Sequence, residues 1–198
     1  MVLILTTKGL QKIRIEGNEL IEELDLRDFP KLTELDCSKN NLTTLDVSCC
    51  PELTKLSCVE NSLTSRELSS NLKLKTLWCG GNPFKELNVS CCPNLEDLSC
   101  WRCELTSLNI TGCNNIDSLI CQENKLTSLD VTGCPNLHCL YCNKNDLTSL
   151  DISKCSGLVE FIDTVNREVY DEGSYRYYDY AGGKYVLVFD KDIELVKE

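Results

Sequence analysis

The chain has 198 residues, 42% hydrophobic and 26% charged, the proportions of a globular protein and a length suited to one domain. Thirty-one acidic against twenty basic residues leave a formal net charge of −11, which argues against any binding that depends on neutralising nucleic-acid phosphates and favours a basic protein partner. A single histidine, His138, removes most acid–base and imidazole–metal chemistry, whereas fifteen cysteines, an odd number, require an explanation.

Residues 1–9 read as an N-terminal cap. The run Val2 to Leu5 is far too short to span a bilayer, and its flanks lack the basic and small residues of a secretion signal. Residues 2–6, apolar and β-branched, predict a strand covering whatever follows.

From residue 10 the chain is periodic. Cys37, Cys58, Cys79, Cys100, Cys121 and Cys142 follow a step of 21. So do Cys50, Cys92, Cys113, Cys134 and Cys155, with Asn71 in the one vacancy. A third ladder holds Asn40, Asn61, Asn82, Asn124 and Asn145, with Cys103 in the missing place. The units are 10–31, 32–52, 53–73, 74–94, 95–115, 116–136 and 137–157, seven in all, on the pattern LxxLxCxxNxLTxLDVSxCPx. Each contains two similar halves, which predicts one extended segment on either side of a coil.

In LxxLxC the second leucine and the cysteine share one face of a strand, and equivalent strands stacked in parallel at about 4.8 Å build a continuous sheet. Two extended halves and two turns leave little room for a helix within a coil, so few or no helices are expected on its back. The ladder cysteines read as small hydrophobes packed between leucines. The ladder asparagines can bond backbone groups of adjacent coils that burial would otherwise leave unpaired. Cys103, a weak donor, predicts a less well satisfied coil. The unit 53–73 has Arg66 for an inward leucine and Leu72 for proline, which predicts a bulge. After Leu158 and Phe161 the period ends. Residues 158–198 read as a C-terminal cap: a tyrosine-rich segment Tyr170–Tyr180, a Gly182-Gly183 turn, then Lys184–Asp190 and Ile193–Val196 as a terminal β-hairpin.

The unit resembles the leucine-rich repeat, LxxLxLxxN/CxL, with cysteine for the third leucine. It is most similar to the short bacterial subclass of 21 residues that includes internalin-like surface proteins with a cysteine ladder, and the resemblance covers residues 10–157. It implies a solenoid, a right-handed horseshoe or arc, mainly parallel β with few or no helices on the convex side and β caps at both ends. It also implies a non-enzymatic binding role and a bacterial cell surface. The many thiols and the apparent lack of a signal point instead to a reducing cytoplasm.

Outward positions five and seven of successive units place Val59, Trp78, Trp101, Ile120 and Tyr141 on one diagonal apolar stripe that includes both tryptophans. Aromatic residues dominate binding hot spots, so the stripe is the candidate partner-binding surface of a monomer. Burial by the curved sheet or the C-terminal tail is the competing explanation. Two other binding classes fit the composition: a carbohydrate- or envelope-binding module, because aromatic faces stack on sugars, and an acidic decoy imitating nucleic acid. No catalytic residue, cofactor motif or metal site emerges. Gly80-Gly81-Asn82-Pro83 reads as a turn, not a phosphate cradle. Alternation points Cys139 and Cys142 oppositely, so that CxxC cannot share a metal. Asp46, Glu67, Asn88, Asn109, Asp130 and Asp151 form a polar ladder better explained by turn hydrogen bonds than by calcium. The adjacent pairs Cys49-Cys50 and Cys91-Cys92 fall at turns and are the most oxidisable thiols.

Overall fold

The computed structural model describes residues 2–4, 9–17, 22–64, 68–165, 171–172, 175–179, 186–190 and 192–198. The expected bulge at Arg66, the residue Glu67 and the Gly182-Gly183 turn lie outside them. The chain opens with β1 (Val2–Ile4), β2 (Lys12–Arg14) and β3 (Glu23–Asp25). The repeats supply β4 (Glu34–Asp36), β5 (Lys55–Ser57), β6 (Thr76–Trp78), β7 (Glu86–Asn88), β8 (Asp97–Ser99), β9 (Ser107–Asn109), β10 (Ser118–Ile120), β11 (Cys139–Tyr141) and β12 (Ser149–Asp151). The end of the chain adds helix α1 (Ser156–Val165), β13 (Asp171–Glu172), β14 (Tyr175–Asp179), β15 (Val186–Asp190) and β16 (Glu194–Val196).

The 21-residue step is the register of one sheet. Leu35, Leu56, Leu77, Leu98, Leu119 and Leu140 are successive partners along β4, β5, β6, β8, β10 and β11, all parallel. With β2 at one end and β15, β14 and β13 at the other, this front sheet has ten strands. The second half of the coil is also extended, and it pairs locally as β1–β3, β7–β9 and β12–β16 on the opposite side. Between the two layers the described ladder leucines and valines stack into a single core with the thiols.

Two features depart from expectation. Lys184–Asp190 and Ile193–Val196 do not form a hairpin with each other. β15 continues the front sheet beside β11 while β16 pairs with β12 on the back, and the antiparallel partner of β15 is β14. Leu187 takes the inward slot beside Leu140, and Phe189 is fully buried, so residues 186–196 close the last repeat as an irregular extra coil. The physical reason is the last repeat itself: both of its strands present unpaired backbone groups, and one hairpin could satisfy only one of them. The second departure is α1, which follows the last repeat. Leu158, Phe161 and Ile162 fall at helical spacing; Leu158 and Phe161 are buried, and Leu158 and Ile162 pack with the solenoid core.

A backbone regularity runs through the corner after each front strand. Lys39, Glu60, Gly81, Arg102, Glu123 and Lys144 stand exactly one repeat apart and all adopt positive φ, between 50° and 68°. Five of the six are not glycine, a conformation costing about 1 kcal/mol or more for each. The next coil holds it in place: the N–H of Lys39 donates to the Val59 carbonyl at 2.8 Å, Glu60 to Gly80 at 2.8 Å and Gly81 to Trp101 at 2.7 Å. At the end of the ladder the Asp190 carboxylate takes over, accepting the N–H of Lys144 at 2.8 Å and of Asn145 at 3.2 Å. Charge follows the same step. Lys73 pairs with Glu52 at 2.6 Å, Lys75 with Glu96 at 2.6 Å and Lys144 with Glu123 at 3.0 Å, so neighbouring coils offset part of the acidic excess.

Candidate functional site

Trp78, Ile120 and Tyr141 end strands β6, β10 and β11 of the front sheet, Val59 and Trp101 stand two residues beyond β5 and β8, and all five are half-buried. Val59, Trp78, Trp101, Ile120 and Tyr141 are none of them openly exposed, whereas Leu10 and Leu72, both off the stripe, are 37% and 54% exposed. The neighbouring coils explain this. The indole N–H of Trp78 donates to Oδ2 of Asp97 at 2.9 Å, and the Lys55 ammonium sits 4.2 Å from the ring centroid. Trp101 lies against the backbone of Gly80, where a Cβ would come within 2.5 Å of the indole nitrogen. At the C-terminal end the stripe continues into Val186 and Val188, which stand beside Cys139 and Tyr141 and are buried.

The structure brings together only part of the predicted set. Trp101, Ile120 and Tyr141 line a hollow of about 430 Å³, floored by Ser99 and Gln122. Trp78 and Val59 are not among its walls. One rim is the ion pair of Arg102 with Glu123, and Lys144 reaches the same carboxylate at 3.0 Å. The Arg102 hydrogen bond, then that of Lys144, holds the Glu123 carboxyl below its ordinary pKa. The Arg102 guanidinium also lies 5.7 Å from the Trp101 ring centroid. Sequence reasoning missed Arg102 and Glu123. The signal was available in the alternation of sign at the positive-φ position, which reads Lys39, Glu60, Gly81, Arg102, Glu123, Lys144. A direct consequence is that Gly80→Ala should push Trp101 off its seat. Tryptophan emission should shift while the melting temperature falls by only a few degrees; an unchanged emission spectrum would show that Trp101 does not rest there.

The ladder asparagines bond backbone groups of their own and neighbouring coils. Nδ2 of Asn61 donates to the carbonyls of Cys37 and Cys58 at 3.1 and 3.0 Å, and its Oδ1 accepts the N–H of Leu42 at 3.0 Å. Asn82 and Asn124 repeat the pattern one and three coils on, and Asn145 and Asn40 bond the same class of carbonyls. Cys103 is better satisfied than its chemistry predicts. Its thiol lies 3.4 Å from the carbonyls of Cys79 and Trp101, and the N–H of Phe84, left without a ladder oxygen, turns to the Asn82 carbonyl at 2.8 Å.

All fifteen cysteines are free thiols, twelve of them buried; Cys49, Cys91 and Cys139 are half-buried. The second cysteine ladder is more than apolar filling. Asn71 donates to the carbonyls of Val47 and Cys50 at 3.0 and 2.9 Å, and Cys113 points its thiol at the equivalent carbonyls of Val89 and Cys92 at 3.2 and 3.4 Å. The vacancy and the ladder therefore perform one task, with a strong donor in one coil and weak ones in the others. Burial drives the Cys121 and Cys155 thiols up to about 12, and Cys113 and Cys134 to about 11. The polar ladder is a column of turn caps. Asp46, Asn88, Asn109, Asp130 and Asp151 each accept the N–H two residues ahead, at 2.8 to 3.0 Å. Among the described residues no group of three or more acidic, cysteine or histidine side chains is arranged to hold a metal ion.

Parallel coils of 21 residues, with leucine, cysteine and asparagine columns between two extended layers, define a leucine-rich repeat solenoid, and the Leucine Rich Repeat family model matches residues 31–53. The chain is a leucine-rich repeat protein of the internalin-like, cysteine-ladder type. It is similar to the functional domain of InlJ from Listeria monocytogenes, which includes a cysteine ladder: identity is 36% and the TM-score 0.73, over 76% of this chain and 33% of that one. Internalin InlF of the same organism is 16% identical, with a TM-score of 0.59 over 70% of this chain and 43% of that one. A leucine-rich repeat protein from Leptospira interrogans is 22% identical, with a TM-score of 0.52 over 70% and 45%. These last two share the fold alone. The chain spans about a third of the InlJ domain and less than half of the other two. No curated protein matches it by sequence.

Proposed function

We propose that this chain is a non-enzymatic protein-interaction module whose partner seats on the front sheet at the hollow between Trp101, Ile120 and Tyr141, with Trp78 and Val59 as flanking contacts. The observation that carries this reading is the hollow itself: three large apolar side chains from three successive coils around about 430 Å³, with a charged pair at the rim. An apolar centre with a polar edge is the anatomy of a protein-binding hot spot. The backbone beneath it is tied coil to coil, so binding would order little that is not already ordered. The net charge of −11 favours a basic partner, and fifteen free thiols suit a reducing cytoplasm.

The test is the double variant Trp101→Ala/Tyr141→Ala, checked by circular dichroism and melting temperature. Proteins captured from the native organism by the wild type should bind the folded variant at least tenfold more weakly, about 1.4 kcal/mol or more. Undiminished capture would remove the assignment. Quenching of tryptophan fluorescence by oligosaccharides, lost in the same variant, would assign the hollow to carbohydrate. Binding that collapses between low and high salt and ignores the variant would favour the acidic decoy.

A further inference from the structure

The ladders account for eleven cysteines, and Cys103 substitutes for a ladder asparagine. Cys49 and Cys91 have no such task. They occupy the position just before the second ladder, where other coils carry Ser70, Gly112, Gly133 and Lys154. In both places the next residue is a ladder cysteine, and the corner brings the two sulfurs together: Sγ···Sγ is 3.8 Å for Cys49 and Cys50, and 3.8 Å for Cys91 and Cys92. The same turn sets both pairs, closed by the N–H of Cys50 on the Val47 carbonyl at 2.9 Å and of Cys92 on Val89 at 2.8 Å. One thiol of each pair is half-buried and reachable, and its neighbour lies buried behind it.

We propose that Cys49-Cys50 and Cys91-Cys92 are two equivalent dithiol clamps for a trivalent arsenical, or another soft centre that forms two bonds to sulfur. The step is a condensation without oxidation or reduction. An organoarsenic(III) oxide meets the outer thiol first, and the inner thiol then closes the ring. The As=O group and two S–H groups become two As–S bonds and one water; arsenic stays trivalent and both thiol protons leave with the oxygen. Two sulfurs already 3.8 Å apart favour this chelate over a single bond to an isolated thiol, because the second sulfur stands beside the first. The site is separate from the front-sheet hollow, and its test does not depend on the partner.

Phenylarsine oxide titrated into the native protein, followed by intact mass, should add two equivalents. They should be removed by 2,3-dimercaptopropanol and resist an equal thiol concentration of 2-mercaptoethanol. Cys49→Ser and Cys91→Ser should each abolish one equivalent, and the double variant both; Ser70 stands at the same position of another coil, so serine is compatible with the turn. No adduct on the native protein would overturn the proposal. So would two adducts persisting in the double variant, or adducts released equally by the monothiol.

Discussion

Raised from pH 8 to pH 10, the protein should lose stability and unfold at lower urea concentrations. Cys50, Cys113, Cys121, Cys134 and Cys155 are at most 1% exposed, and burial lifts their thiols to between about 11 and 12. In the unfolded chain they titrate near the ordinary thiol value of 9.0. Between these limits the unfolded state has released protons that the folded state still holds, so stability is undiminished below pH 9 and falls as pH rises above it. Each such thiol subtracts on the order of 1 kcal/mol by pH 10, and the five act in the same direction. Cys100 and Cys142, also raised well above the ordinary value by burial, act in the same direction. Urea midpoints at pH 8, 9 and 10, with iodoacetamide labelling counted at each, check the expectation. A midpoint that does not move would mean that the ladders are open to water. Cys121→Ala should reduce the pH slope by one proton.

The second large effect concerns the asparagines, which should be unequal despite their identical spacing. Asn124 carries the heaviest load because it borders the Cys103 substitution. Its Oδ1 accepts two N–H groups, from Cys103 at 2.9 Å and Leu105 at 3.0 Å, while Nδ2 donates to the carbonyls of Cys100 and Cys121, both at 2.9 Å. Asn124→Ala strands three of the four in a fully packed corner, the Cys121 carbonyl keeping the Asn145 amide at 3.0 Å. With each buried unpaired group costing about 1–3 kcal/mol, the loss should be roughly 3 kcal/mol or more. At Asn40, no described donor reaches Oδ1, and only carbonyls depend on its amide. Asn40→Ala should therefore cost about half as much. Equilibrium denaturation of the two variants checks the order. Equal losses would show that the asparagines act through volume and not through their bonds. Aspartate at 124 separates the two further, because it keeps the acceptor and loses the donor.

Much of this architecture was legible in the linear chain, for a definite reason. When one residue pattern recurs at a fixed step, equivalent side chains must stack. The columns of Leu35 to Leu140, of Cys37 to Cys142 and of the asparagines thus follow from the step of 21 with no further information. The sharing of labour between Asn71 and Cys113 was half visible, since the vacancy was evident but the common carbonyl targets were not. The ends were less legible. Ile193–Val196 is apolar and extended in either arrangement, and only the bare edge of β12 decides that it pairs there and not with β15.

What the amino-acid order determined by itself is the coil: its length, its inward columns and the row of residues left facing out. Tertiary structure alone decided what that outward row amounts to. Trp78 is drawn to Asp97 and Lys55 of neighbouring coils, Trp101 settles on the bare backbone of Gly80, and the remaining apolar side chains enclose a hollow guarded by Arg102 and Glu123. The same holds for the left-handed corner at Lys39, Glu60 and Arg102, which no propensity favours and which the carbonyls of the next coil impose. Periodicity specifies which residues become neighbours, but bonds made between one coil and the next decide how those neighbours are turned.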